Sequence, residues 1–120
     1  MEDYKTTLRR LALRDDRYIG SLLADERTSA VRSGLDPGTH AIARVGALIA
    51  MDAAPPSYMS AVEAAVHAGV THEEIVGALI AVLPVVGVAR VVSAAPNLGL
   101  ASGYDVGDAL ERIEPDRPRA

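Results

Sequence analysis

Over most of the chain apolar residues recur every three or four positions, the spacing of amphipathic helices. Asp3 to Arg14 carries Leu8, Leu11 and Ala12 on one side, and Asp15 is placed to cap a second segment with Tyr18, Ile19, Leu22 and Leu23 at helical spacing. Thr28 to Leu35 is polar, contains Gly34 and reads as a connection with room for a helical turn. Asp36-Pro37 is a helix start, an acid at the N-cap followed by proline at the first helical position. The helix it opens is expected to run from Pro37 to Met51, with Ile42, Val45, Leu48 and Ile49 as its bulky stripe. Ala43, Gly46, Ala47 and Ala50 are small enough for a close helix crossing. Asp52 to Pro56 interrupts the pattern, and Pro56 opens a helix that runs to Ala68. On it, Tyr58, Ala61, Ala65 and Ala68 share one side, and Met59, Val62 and Val66 share a second. Ser60, Glu63 and His67 fall on the third.

Gly69 then stops the helix, since glycine takes a left-handed conformation at little cost. Thr71 and Glu74 have the spacing of a capping box, and Glu73 and Glu74 suit the positive end of the helix that follows. From Ile75 to Ala89 no side chain is polar. A helix that is apolar all round is buried on every side or lies in lipid. This run, broken by Pro84 and Gly87, is shorter than the roughly 20 residues a bilayer requires. A domain of this size cannot enclose such a helix by itself, so other copies of the chain are expected to cover it. Pro84 should bend the helix and Gly87 break it. Val88 to Leu100 resumes as helix limited by Pro96, and Gly99, Gly103 and Tyr104 make a turn. Asp105 caps a last helix from Val106 to Ile113, and the charged, proline-rich Glu114 to Ala120 forms a loose tail. No strand pattern or repeat is found. The fold class is all-α and a single domain overall, with an N-terminal helical segment over 1–34, a core over 35–103, and a short helix and tail over 104–120.

Composition narrows the chemistry. Four Tyr with no Phe or Trp leave Ala, Val, Leu and Ile to build the core. The net charge of −4 with interspersed signs offers no basic stripe for nucleic acid. Without cysteine there is no disulfide, thiolate nucleophile or thiol redox cycle. The first residues lack the apolar stretch of a secretory signal, so a cytoplasmic protein is expected, with no membrane partner.

With these residues laid out, the chain resembles the carboxymuconolactone decarboxylase family, which includes the alkylhydroperoxidase D-like proteins. The resemblance is carried by LDPGTHAIARVGALIA, by the helix ending AAVHAGVT, and by HEEIVGALIAVLPVVGVAR, and it spans about residues 35 to 103. It implies an alkylhydroperoxidase D-like bundle of about six helices that assembles as a homotrimer or homohexamer. The thiol-dependent members of that family place a CxxC pair and a histidine where this chain has Ala54, Ser57 and Ala61. A family glutamate falls near Ile42, where His40 is the nearest titratable group. Peroxide reduction by disulfide exchange is therefore excluded by composition. What the resemblance leaves is a decarboxylase or lyase that works without cofactor on a small acid or lactone. The alternative is a non-catalytic ligand-binding or scaffold subunit that keeps the fold and assembly.

The candidate residues are few. Glu63 and His67, one turn apart, form either a carboxylate–imidazole pair able to transfer protons or a solvated helix face. His40 is a third candidate for proton transfer. With Arg44 it forms either an anion site or a surface or subunit contact. Ser57 and Tyr58, at a helix start, either contact a small carboxylate ligand or cap the helix and fill the core. His72 reads as solvent-exposed. The three histidines make no metal-ligand motif, and neither a metal nor a cofactor is expected.

Overall fold

A computed structural model describes residues 3 to 113, so the expected tail over 114–120 lies outside the described residues. Among the described residues every regular element is an α-helix: α1 (Tyr4–Ala12), α2 (Asp16–Leu23), α3 (Glu26–Ser33), α4 (Pro37–Met51), α5 (Pro55–His67), α6 (His72–Val86), α7 (Val88–Ala101) and α8 (Val106–Ile113). The all-α expectation holds. The chain divides into two compact units, Met1–Asp36 and Pro37–Ala120.

In the first unit, short polar caps set the helices. Asp15 accepts a hydrogen bond from the Tyr18 amide at 3.1 Å and starts α2, as its position predicts. The stretch read as a connection after Thr28 is instead the body of α3. Asp25 accepts from the Thr28 amide at 2.7 Å, and Gly34, at φ 69°, ends the helix. This start signal has no apolar stripe behind it, since α3 buries none of its residues, so periodicity could not reveal it. The Thr28 amide and hydroxyl hold the Asp25 carboxyl below its usual pKa. Among the described residues of this unit the buried side chain is Tyr18, with the guanidinium groups of Arg10 and Arg32 at 5.3 and 6.0 Å from its ring centre.

The second unit holds the core. Ala41, Val45 and Ile49 from α4 meet Tyr58, Val62 and Ala65 from α5, Ile75, Ala78 and Leu79 from α6, and Ala94 and Leu98 from α7. Helix α4 packs against α5, α6 and α7, while α5 and α6 both lie against α7. Ile42 and Leu48 only border the core, and Ala41 belongs to it. Of the small residues of α4, Gly46 faces α6, where an added Cβ would stand 3.5 Å from Val82; Ala43, Ala47 and Ala50 are exposed.

The connections are tight. Asp52, at φ 52°, turns the chain after α4 and accepts a hydrogen bond from the Ser93 hydroxyl at 2.8 Å, tying this turn to α7. Gly69, at φ 90°, closes α5 with the Val70 amide donating to Ala65. The capping box that follows is complete: the Glu74 amide donates to Thr71 Oγ1 at 3.1 Å, and the Thr71 amide donates to Glu74 Oε1 at 2.9 Å. Helix α6 passes through Pro84 and ends at Val86, where Gly87 takes φ 91°. Helix α7 is not limited by Pro96; it continues to Ala101. The Tyr104 amide donates to the Gly99 carbonyl at 2.7 Å in the turn that follows, and Asp105 caps α8 by accepting from the Asp108 amide at 2.9 Å.

Candidate functional site

Helix α5 buries Tyr58, Val62 and Ala65, and this fixes what the rest of its circumference does. Ser60, Glu63 and His67 follow at intervals of three and four residues on the outward side, with Met59 and Val66 beside them. Gly69 and the Thr71 cap then reverse the chain and start α6 at His72. The end of α7 arrives at the same place. The result is a groove of about 820 Å³ lined by Met59, Ser60, Glu63, Val66, His67 and His72, with Ala101 and Ser102 at its α7 end. That volume lies within the ~300–1,000 Å³ range of small-molecule pockets.

The groove has both apolar and polar lining. Met59, Val66 and Ala101 supply contact for a hydrocarbon body. Glu63, His67 and His72 supply a carboxylate and two imidazoles, and Ser60 and Ser102 supply hydroxyls. Among the described residues, no lysine or arginine lines it. Glu63 and His67 lie one helical turn apart on α5, the spacing at which two side chains can interact. Both side chains are exposed, as is His72.

Of the residues singled out from the sequence, Glu63 and His67 share this groove, while His40, Arg44, Ser57 and Tyr58 are not among its lining. His40 is half-buried in the first turn of α4, and Arg44 is exposed one turn later. Ser57 is exposed in the first turn of α5. Tyr58 belongs to the core: its hydroxyl donates to the Leu48 carbonyl at 3.1 Å. Burial raises its phenol above the usual value of 10.0; the Ala53 amide acts the other way, and the Asp52 charge adds to the rise. A carboxylate ligand therefore has no free phenol to meet there.

His72 is the residue that sequence reasoning passed over. It is exposed, as its place after the cap suggests, and the reversal at Gly69 also makes it part of the groove lining. Among the described residues, no three His, Asp or Glu side chains are placed to hold a metal ion, and no helix is long and apolar enough to cross a membrane. No protein-family model, curated protein or solved structure matches the chain.

Proposed function

We propose that the chain is a carboxymuconolactone decarboxylase-like protein whose α5 groove takes a small carboxylic acid or lactone and moves a proton on it without a cofactor. The observation that carries this reading is that Glu63, His67 and His72 all line the same groove, beside apolar Met59 and Val66. The hydrocarbon part of the ligand lies on Met59 and Val66, and its oxygen-bearing end faces the imidazoles. In a decarboxylation the bond to the carboxylate carbon breaks and carbon dioxide leaves. The electron pair left behind spreads onto a neighbouring carbonyl or lactone, and a new C–H bond takes up a proton. His67, oriented by Glu63, is the donor in this scheme, and solvent returns its proton. The missing family positions, Ala54, Ser57 and Ala61, are bypassed because the groove brings its own titratable groups. In this reading the chain works in the cytoplasm as a homotrimer or homohexamer.

A second reading, a ligand-binding or scaffold subunit without catalysis, is favoured by the exposure of all three titratable side chains. Acid–base groups gain most where water is excluded, and these three are open to solvent. Titrating the protein with a panel of small carboxylic acids and lactones, followed by NMR of the α5 amides and by carbon dioxide release, separates the two. The catalytic reading expects shifts around Glu63 and His67, and turnover that Glu63→Gln and His67→Gln lower about 10²–10⁴-fold. Shifts without turnover select the binding subunit. A panel in which no member moves the α5 signals removes the groove from consideration.

A further inference from the structure

The first unit has a cavity of its own. Helices α1 and α3 both pack on α2, and residues of all three wall a space of about 660 Å³. Tyr4, Thr7 and Leu8 of α1 recur at helical spacing along one side of it. The buried Tyr18 of α2 and the C-terminal end of α3, Val31 to Ser33, complete the lining. The size falls within the ~300–1,000 Å³ range of small-molecule pockets. Folding leaves its apolar side chains wet: Tyr4, Leu8 and Val31 are 67, 59 and 73% exposed. Two of its polar groups are already in use. The Ser33 hydroxyl donates to the Ala30 carbonyl at 2.7 Å and accepts from the Leu35 amide at 3.2 Å. The Thr7 hydroxyl donates to the Asp3 carbonyl at 3.4 Å. Arg32 differs. Its guanidinium lies 6.0 Å from the centre of the Tyr18 ring, and among the described residues it has neither a carboxylate nor a hydrogen-bond acceptor as partner. Among the described residues it is also the one charged group in the lining.

We propose that this cavity binds a small aromatic carboxylate, its ring against Tyr4, Leu8 and Val31 and its carboxylate on the Arg32 guanidinium. Three features select that chemistry. A guanidinium presents a planar fork of N–H donors that matches the two oxygens of a carboxylate. The rings of Tyr4 and Tyr18 favour an aromatic body, which they meet offset or edge-on. Arg32 stands in the last turn of α3, where the helix dipole is negative, so a singly charged anion is tolerated there better than a phosphate dianion. The helix end alone accounts for a cation at this position, but not for the apolar cavity beside it. Helices α1 and α3 bury none of their own residues. A ligand that covers Tyr4, Leu8 and Val31 supplies apolar contact that this unit lacks, and stabilises it in proportion to its occupancy. The site lies within the first unit and does not rest on the chemistry proposed for the α5 groove.

NMR titration of the whole chain with naphthoate tests it, with naphthalenemethanol as the neutral counterpart and naphthyl phosphate as the dianion. Naphthoate is expected to shift the amides of Thr7, Tyr18 and Arg32 and to slow hydrogen exchange in α1 and α3. Arg32→Gln, at an exposed position, should leave the helical circular dichroism unchanged and weaken binding about 10–100-fold. Val31→Asp should weaken it as well, whereas Arg27→Gln, an exposed charge outside the lining, should not. His67→Gln should leave naphthoate binding unchanged, so that this site and the groove fail separately. Equal affinity for the alcohol, tighter binding of the phosphate, shifts confined to the α5 amides, or indifference to Arg32→Gln overturns the proposal. So does the absence of any shift at millimolar naphthoate.

Discussion

At the residue scale, the side chains whose work is done within four positions of the chain are the ones a sequence exposes. The Thr71–Glu74 box, Asp15 before α2 and Asp105 before α8 were all legible, because an N-cap and the amide it satisfies lie on neighbouring residues. The box also fixes where His72 stands, so its strength matters to the groove. Thr71→Ala removes the acceptor of the Glu74 amide and should cost about 1 kcal/mol, read as a lowered melting temperature. An unmoved transition would mean that water replaces the hydroxyl without loss. Tyr58 shows the opposite case. Its ligand-contact and core readings could not be separated from sequence, since its partner, the Leu48 carbonyl, lies ten residues back on another helix.

At the scale of elements, helix ends were better marked than helix interiors. Pro96 looked like a stop because it removes one backbone donor, yet α7 passes through it, anchored by Ala94 and Leu98 in the core. The close approach after α7 rests on Gly99. A Cβ added there would stand 2.8 Å from the Tyr104 carbonyl oxygen and 2.9 Å from Val106 Cγ2. Backbone yields little, so Gly99→Ala should destabilise by about 1–3 kcal/mol and loosen α8. Gly20→Ala in α2 is the control. Nothing lies within 4 Å of its added methyl, and alanine there should stabilise by about 0.5–1 kcal/mol. Thermal melts of the two variants moving in the same direction would contradict this account.

For the whole molecule, stability is unevenly placed. Among the described residues the first unit buries Tyr18, while Leu8, Leu11, Leu13, Leu23 and Val31 stay exposed; the rest of the buried core belongs to the second unit. Amide hydrogen exchange should therefore find α1 to α3 opening well before α4 and α5, and equal protection in both units would contradict that order. The sequence by itself determined the helical class, most helix starts, the glycine stop before α6 and the absence of thiol chemistry, because each depends on neighbouring residues or on composition alone. It also placed Glu63 and His67 on one side of α5, since helical spacing suffices for that. Only the tertiary structure decided that His72 joins them and that His40 and Arg44 do not. Within the featureless run after Glu74, likewise, only packing separates inward Val82 and Val86 from outward Val76 and Ile80. A run without polar residues has no periodicity to read, so its sides are assigned by the helices that lie against it.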